Sequence, residues 1–253
     1  MYSGPASSMR HNFYVDTEFR VIHEDADIAV INKPAPLAVH AVGMYKELNL
    51  QTLMLKDPRW AGTPVKTVHR LDAETSGVIL IAKTFAAASA LGRQFEAGTV
   101  RKTYEAFVFG CPRETAGDIT DPLGYDKSSG FQTVRVRDTE NGEAAHTRYE
   151  TLAAGSRYTH LRLTPLTGRT HQLRAHLAIL GHPIVGDKIY VDLGLFERYV
   201  RGGLDADLLD RLKLPRLALH ASVIEFRHPA DGREVSFSAP LAPMLADFAA
   251  AGL

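Results

Sequence analysis

Cysteine is almost absent from this chain of 253 residues, which contains only Cys111. An internal disulfide is therefore impossible, and so is a structural zinc site built from several cysteines. A single cysteine could still act as a nucleophile. Cys111, however, directly precedes Pro112 at the end of a predicted strand, where a plain loop position is the simpler interpretation. Such sparing use of cysteine fits a reducing compartment, and we expect the cytoplasm.

Long apolar runs are missing as well. The longest ones, such as residues 78–82, are far shorter than the roughly 20 residues that a membrane-spanning helix requires. Residues 1–10 lack the apolar block of a secretion signal. We therefore expect no membrane association, a flexible tail over residues 1–12 and one domain over residues 13–253. The hydrophobic content of 45% is ample for the core of such a domain.

The chain also lacks an excess of either charge, since 29 basic side chains balance 29 acidic ones. This balance argues against a protein that binds nucleic acid without preference, because phosphate binding requires clustered positive charge. The charges are nevertheless unevenly distributed. Residues 151–190 carry +4, five basic side chains against Asp187 alone, and residues 61–110 carry +2, six basic against four acidic. A local basic cleft on a neutral protein fits a site for one particular polyanion.

Hydrophobic periodicity predicts more strands than helices. The predicted strands cover residues 19–24, 28–32, 78–83, 102–110, 158–164, 217–226 and 234–238, and a hairpin around Asn141-Gly142 should join 133–137 to 144–152. Helices are predicted over residues 49–56, 85–97, 170–180 and 241–251. Because many strands follow each other directly, we expect the α+β class, with a mixed, largely antiparallel central sheet flanked by helices.

Two segments carry the residue types best suited to chemistry. Residues 68–77 (VHRLDAETSG) place a carboxylate and an arginine in front of a predicted buried strand. Residues 168–174 (GRTHQLR) lie about a hundred positions further on and open a predicted helix. In that helix Leu173 and Leu177 share a stripe that should face the core, and Arg174 lies about 100° round from it. Arg174 is therefore available to meet the carboxylate of Asp72.

Taken singly, Asp72 fits a turn or a helix cap, and Arg174 fits a surface ion pair. Taken together they predict a functional pair, because a buried carboxylate requires a partner and a nearby cation lowers its pKa. A carboxylate that stays ionised can act as a nucleophile or a base without a cofactor. Arg70 should project to the opposite side of an extended segment and reach a ligand. Tyr104 either covers the core from a strand or serves as a platform for an extruded base.

Patterns of other enzyme classes are missing. The sequence has no phosphate-binding P-loop, no dinucleotide-binding glycine motif and no serine-hydrolase elbow. His171 and His176 are five residues apart rather than the four that place two ligands on one helical face. His40, His160 and His220 have no spacing that favours a metal. We therefore expect no metal site.

Together, these segments resemble the RluA group of pseudouridine synthases, within the wider RluA/RsuA-type family. The resemblance covers nearly the whole chain, and five motifs in the family's order are not expected by chance. The five motifs are residues 27–40 (DIAVINKPAPLAVH), 69–77 (HRLDAETSG), 102–104 (KTY), 168–174 (GRTHQLR) continued by 181–187 (GHPIVGD), and 219–221 (LHA).

The resemblance implies an enzyme that isomerises specific uridines in structured RNA to pseudouridine, with an active-site cleft across the sheet. The implied partner is a stem-loop of ribosomal or transfer RNA, with neither cofactor nor metal, and we expect a monomer. Asp72 would be the nucleophile or base, and sequence leaves open whether it attacks C1′ or removes the 2′ proton. Tyr104 would stack on the target uracil and handle a ring proton. Arg174 would pair with Asp72.

The residues expected by resemblance to contact the substrate are Arg70, His69, Arg169 and Leu219. Arg70 would enter the RNA stack where the target uridine has left it, and Leu219 would line the pocket. Many relatives carry an N-terminal S4 RNA-binding domain, which we do not expect here because the first motif already begins at Asp27. Target choice should then depend on the loops predicted within residues 40–62 and 190–216.

Two other functions remain open. A non-catalytic RNA-binding or ribosome-assembly protein could use the same fold, although such a protein has no need of Asp72 and Tyr104. A carboxylate-based hydrolase would release free uracil, whereas an isomerase would yield a product of unchanged mass.

Overall fold

The computed structural model of the chain describes residues 15–41, 43–131 and 133–252. The tail expected over residues 1–12 lies outside this range.

The described strands are β1 (Arg20–Glu24), β2 (Ile28–Lys33), β3 (Lys66–Thr67), β4 (Ser76–Ala82), β5 (Arg101–Phe109), β6 (Ala116–Ile119), β7 (Leu123–Tyr125), β8 (Arg135–Arg137), β9 (Thr147–Ala154), β10 (Tyr158–Pro165), β11 (Leu219–Arg227) and β12 (Glu234–Ser238). The helices are α1 (Leu50–Lys56), α2 (Phe85–Glu96), α3 (Gln172–Ile179), α4 (Leu193–Gly202), α5 (Ala206–Leu212) and α6 (Pro243–Ala250). None of these helices has both the length and the apolar character needed to cross a membrane.

Ten of the described strands form one sheet. Its neighbours follow the order β1-β2-β4-β11-β5-β10-β9-β6, with β12 beside β11 and β3 beside β4, while β7 and β8 pair separately. Among the described strand pairs, β4 and β11 run parallel and the others are antiparallel. The α+β class and the mixed, largely antiparallel sheet expected from the sequence are confirmed.

Both faces of the sheet are covered in the region of β4. Successive side chains of a strand point to opposite faces. Ile79 and Ile81 pack in a cluster with residues of α1, whereas Val78 and Leu80 pack in another cluster with residues of α2. A strand buried on both faces is apolar throughout, which explains why every residue of β4 is buried.

The predicted hairpin between residues 133–137 and 144–152 is wrong. Strand β8 pairs with β7, whereas β9 pairs with β10 and β6. A turn does occur at this place, because the N–H of Gly142 donates to the carbonyl of Asp138 at 3.0 Å. The chain then pairs Glu143 with Leu123 on β7. An Asn-Gly dipeptide identifies a local turn, but the partner of each strand depends on the whole sheet.

Residues 190–216, which we expected to be a loop, contain the helices α4 and α5. Helix α4 begins after Asp192, whose carboxylate accepts a hydrogen bond from the N–H of Gly194 at 2.8 Å. The helix ends at Gly202, and Gly203 follows with a positive φ of 76°. Glycines near both ends weaken the helical pattern in the sequence, because glycine is typical of loops.

Strands β4 and β11 lie in close contact at Gly77. Gly77 has a φ of +110°, and an added Cβ would overlap the backbone carbonyl of Ala221 on β11. Only glycine fits both this conformation and this distance. The contact holds the start of β4, and with it the loop that carries Asp72, directly against β11.

We predict that Gly77→Ala lowers the free energy of unfolding by roughly 2–4 kcal/mol, because the methyl group forces β4 away from β11. Urea denaturation measures this change. Gly92→Ala is the matched control, since Gly92 lies in α2 with open space around it, and alanine should there stabilise the helix by up to about 1 kcal/mol. Equal stability of the two variants would contradict the close packing at Gly77.

Candidate active site

A cavity of about 230 Å³ lies between the loop before β4, the start of α3 and helix α4. The two sequence segments 68–77 and 168–174 meet here, as the sequence predicts. Its lining includes the side chains of Arg70, Asp72, His171, Arg174, Phe196 and Tyr199.

Lys33 anchors the loop that carries Asp72. Its Nζ donates to the carbonyls of Leu37 at 2.7 Å and Ala73 at 3.2 Å, and the N–H of Leu37 also donates to Ala73 at 2.8 Å. Burial, with a smaller contribution from the charge of Arg216, lowers the pKa of Lys33 to about 7, and the charge of Asp72 opposes this shift. The first motif of the sequence therefore holds the backbone beside the carboxylate in place.

Glu74 anchors the same loop on its other side. Its carboxylate accepts two hydrogen bonds from Nζ of Lys188, at 2.7 and 2.9 Å, and one from the N–H of Leu217 at 3.1 Å. Lys188 also donates to the carbonyl of Pro215 at 2.9 Å. These bonds connect the loop to the segment that leads from α5 into β11.

The guanidinium of Arg174 is shared by two carboxylates. Its Nη1 donates to Oδ2 of Asp72 at 3.0 Å, while Nε and Nη2 donate to the two oxygens of Asp187 at 2.7 and 2.8 Å. Asp187 is 1% exposed, and its Oδ1 also accepts from the N–H groups of Ile189 and Tyr190. A bidentate bond fixes the guanidinium plane, so Nη1 remains directed at Asp72.

Asp187 is a site residue that sequence reasoning missed. The available signal was its isolation as the only acidic residue among five basic ones in residues 151–190. A buried arginine needs a carboxylate partner, because an unpaired buried charge is very unfavourable. Asp72 is 23% exposed on its side chain and faces the cavity, so it could not be that buried partner alone.

The electrostatics of the pair keep Asp72 ionised. Burial by itself would raise the pKa of Asp72. The charge of Arg174, followed by that of His171 when it is protonated, the hydrogen bond from Arg174 and the charge of Arg70, hold it below its ordinary value. Burial alone would lower the pKa of Arg174. The carboxylates of Asp187 and Asp72 more than offset this effect, so the pKa of Arg174 is raised. Because the pKa of Asp72 is lowered in the folded state, its favourable contribution exists at neutral pH and is lost on acidification.

Tyr104 lies on β5, opposite Ala221 of β11, and packs against the core clusters on both sides. Burial, followed by the negative charge of Asp72, raises its pKa above the ordinary tyrosine value. The structure therefore brings Tyr104 within electrostatic range of Asp72, although Tyr104 is not among the residues that line the cavity. Its phenol carries its proton in the resting state.

Arg70 and Leu219 have different surroundings. Arg70 is exposed and lines the mouth of the cavity. Leu219 is 4% exposed within the core, and the neighbouring leucine that lines the cavity is Leu217.

His69 and Arg169 do not line the cavity. The Nε2 of His69 accepts from the N–H of Leu80 at 2.9 Å, and its ring stacks on Phe95 with centroids 4.8 Å apart. Burial, with a smaller effect of a nearby lysine, lowers the pKa of His69 to about 3, so it is neutral and ties the loop to β4 and α2. Arg169 is exposed and pairs with Glu143 at 2.7 Å.

Comparison with known proteins gives a consistent result. A sequence profile described as RNA pseudouridylate synthase matches residues 27–179. The ribosomal large subunit pseudouridine synthase D of Pseudomonas aeruginosa is 37% identical over 229 residues, which cover 89% of this chain and 69% of the relative. The ribosomal large subunit pseudouridine synthase C of Vibrio parahaemolyticus is 33% identical over 236 residues, covering 93% of this chain and 70% of the relative.

Two solved structures share the fold. Human RNA pseudouridylate synthase domain containing 1 has a TM-score of 0.71 and 26% identity, covering 90% of this chain and 86% of its own. Human RNA pseudouridylate synthase domain containing 4 has a TM-score of 0.69 and 28% identity, with coverages of 89% and 90%. On these matches and on its five sequence motifs, the chain belongs to the RNA pseudouridylate synthase family, in its RluA group, and is an enzyme that isomerises uridine in RNA to pseudouridine.

Proposed function

We propose that this enzyme modifies specific uridines of ribosomal RNA and that Asp72 performs the first chemical step. The contact between Asp72 and Arg174 inside the cavity is the observation that carries the proposal. Ribosomal RNA is favoured over transfer RNA because the two bacterial relatives described above are named for the large ribosomal subunit. Residues 13–253 would form the catalytic domain and act as a monomer in the cytoplasm.

The reaction breaks the N1–C1′ bond of the uridine and joins C5 of the same base to C1′, with no net oxidation or reduction. Asp72 attacks C1′ or removes the 2′ proton, and either step converts its carboxylate into a neutral group. The detached uracil turns within the cavity, and C5 bonds to C1′ as Asp72 leaves C1′ or returns the 2′ proton. The proton on C5 then leaves and N1 gains one. The product therefore has the mass of the substrate.

Tyr104 is proposed to stack on the uracil and to relay the C5 proton, its hydroxyl oxygen accepting that proton while its own O–H proton passes to solvent. In the resting enzyme its raised pKa keeps the phenol protonated, so it cannot act as a base. One of the two causes of that raised pKa is the negative charge of Asp72, which disappears once Asp72 has reacted. The phenol thus becomes easier to deprotonate at the stage of the reaction that needs a base.

Arg174 and Arg70 would support the reaction in different ways. Arg174 keeps Asp72 ionised and correctly directed, while its own position is set by Asp187. Arg70, exposed at the mouth of the cavity, would occupy the space that the extruded uridine leaves in the RNA. Extrusion of a base costs a few kcal/mol, and this contact would offset part of it.

The alternative of a non-catalytic RNA-binding or ribosome-assembly protein has less support. Such a protein gains nothing from a buried carboxylate–guanidinium pair that faces a cavity. The hydrolase alternative differs in its product, since free uracil would appear in place of pseudouridine.

Mapping of pseudouridines in a deletion strain tests the substrate. We expect one or a few carbodiimide-dependent reverse-transcription stops in ribosomal RNA to disappear on deletion and to return on complementation. Loss of stops in transfer RNA alone would contradict the choice of ribosomal RNA, and no lost stop in either RNA would contradict the proposed activity.

Asp72→Asn should lower turnover by at least about 10³-fold, because an amide is neither a nucleophile nor a base here. The Arg174–Asp187 pair remains intact, so the fold and RNA binding should change by no more than a few-fold. Release of tritium from RNA labelled at uridine C5 measures turnover. Asp231→Asn, at an exposed turn, is the control and should retain full activity. Persistent tritium release from the Asp72 variant would refute the assigned role.

Arg174→Ala should move the acid limb of the pH–rate profile to higher pH, because Asp72 loses the cation that lowers its pKa and is protonated earlier on acidification. Asp187 loses its partner too, at a cost of roughly 3–5 kcal/mol of stability. Arg174→Lys, which keeps a cation, is therefore measured in parallel and should shift the limb less, in the same direction.

The control for this series is Arg162→Ala, which removes an exposed pair with Glu150 on the outer part of the sheet. Its pH–rate profile should match that of the unmodified enzyme. Wild-type profiles in both Arg174 variants would contradict the electrostatic role of the pair.

A further inference from the structure

His171 occupies an unusual position in the cavity wall. It precedes α3 with a φ of 54°, and it is one of two non-glycine residues with a positive φ in the described part of the chain, the other being Lys213. A left-handed conformation of this kind is unfavourable for a residue with a Cβ and often marks a functional position. The imidazole is 8% exposed and lines the cavity beside Asp72.

The hydroxyl of Tyr190 is the partner of Nδ1 of His171. The hydroxyl oxygen of Tyr190 accepts from the N–H of Arg135 at 2.9 Å and lies 3.3 Å from Nδ1 of His171. We assign the one proton of the phenol to the bond with Nδ1, which then acts as the acceptor. Burial, with a smaller effect of Arg174, lowers the pKa of His171 to about 4, and the charges of Asp72 and Asp187 only partly oppose this shift. The ring is therefore neutral at pH 7. Its remaining proton is then on Nε2.

Tyr190 itself is held in place by the pair that positions Asp72. Its backbone N–H donates to Asp187 at 3.1 Å, and the guanidinium carbon of Arg174 lies 5.2 Å from the centre of its ring. The orientation of the His171 ring therefore depends on the same buried charges that direct Arg174 at Asp72.

The Nε2 of His171 lies 3.9 Å from Oδ2 of Asp72. This distance is too long for a direct hydrogen bond, but one oxygen atom can lie within hydrogen-bond distance of both. That oxygen must accept a proton from Nε2–H and donate one to the carboxylate. A uracil carbonyl cannot donate and the uracil N3–H cannot accept, so the one kind of nucleotide atom that can do both is a hydroxyl oxygen, which would take the place of a bridging water.

An internal nucleotide of an RNA chain has a single free hydroxyl, because its 3′ and 5′ oxygens are esterified. The remaining 2′-hydroxyl is adjacent to C1′, where the reaction takes place, and is the group that distinguishes RNA from DNA. Resting on the function proposed above, we infer that His171 and Asp72 together bind the 2′-hydroxyl of the target ribose. His171 is thus a specificity-determining residue, and Tyr190 is the positioning residue that orients it.

The test compares two synthetic stem-loops that span the uridine found by mapping, one with uridine and one with 2′-deoxyuridine at the target position. For the unmodified enzyme we expect the deoxy substitution to lower the single-turnover rate or the affinity about tenfold, the effect of one lost hydrogen bond to a charged network. Fluorescence anisotropy gives the affinity, so the difference stays measurable if the deoxy stem-loop does not turn over.

The variant His171→Asn preserves the backbone, because asparagine tolerates a positive φ, but its amide is too short to reach the hydroxyl. For this variant the single-turnover rate or the affinity on the uridine stem-loop should fall about tenfold. Its values for the uridine and deoxyuridine stem-loops should differ by no more than about twofold, as expected when both changes remove the same interaction. His171→Gln, with a longer amide that can donate, should restore part of the discrimination. His23→Ala, on the edge strand β1, is the control and should retain the full discrimination between the two stem-loops.

Nitrogen-15 NMR of labelled histidine provides a measurement that does not depend on substrate. The protein should show the Nε2–H tautomer for His171, and Tyr190→Phe should alter that signal and reduce the discrimination while thermal unfolding stays close to that of the unmodified protein. An Nδ1–H tautomer, or full discrimination in His171→Asn, would overturn the inference. An unmodified enzyme inactive on the uridine stem-loop would refute the proposed function as well, which separates the two failures.

Discussion

The division of one guanidinium between two carboxylates is the interaction on which the site depends. Asp187 is fully buried and takes two hydrogen bonds from Arg174, while Asp72 faces the cavity and takes one. The buried carboxylate balances the charge and fixes the plane of the guanidinium. The carboxylate that faces the cavity receives a directed hydrogen bond and a lowered pKa without losing access to a ligand. An arginine paired with Asp72 alone would be free to swing out of this orientation.

The sheet supplies the rigidity that this arrangement needs. Gly77 allows β4 to lie against β11, and this brings the loop of Asp72 close to the segment that follows α5. Hydrogen bonds then hold the loop on its two sides. Lys33 donates to backbone carbonyls on one side, and Lys188 donates to the carboxylate of Glu74 on the other. A catalytic group on a loop is positioned accurately only when its supporting contacts are fixed in this way. The first, second and fourth sequence motifs therefore act as one structural unit.

The charge states around the cavity are complementary. Burial favours the neutral form of Asp72, His171 and Tyr104 and is the largest effect on the pKa of each. It keeps His171 and Tyr104 neutral, whereas the neighbouring positive charge offsets it at Asp72, which stays ionised. The cavity thus presents one carboxylate beside an uncharged imidazole, with the uncharged phenol of Tyr104 within electrostatic range. A nucleoside has no charge on its base or sugar, so this combination suits it better than a uniformly charged cleft would.

Local patterns in the sequence determined much of this protein: the α+β class, most strands and helices, the two segments that form the site and the pairing of Asp72 with Arg174. The class and its elements depend on periodicity and turn residues, which are properties of neighbouring residues. The pairing of Asp72 with Arg174 was predicted from two charged segments and from the resemblance of their motifs to a known family. Only the tertiary structure decided that Asp187 orients Arg174, that His69 packs against Phe95 away from the cavity and that Leu217 lines it in place of Leu219. It also decided the pairing of β8 with β7 and the helices between 193 and 212. The reason is physical: burial, ion pairing and strand partners depend on residues brought together from distant parts of the chain, and a linear pattern does not record those distances.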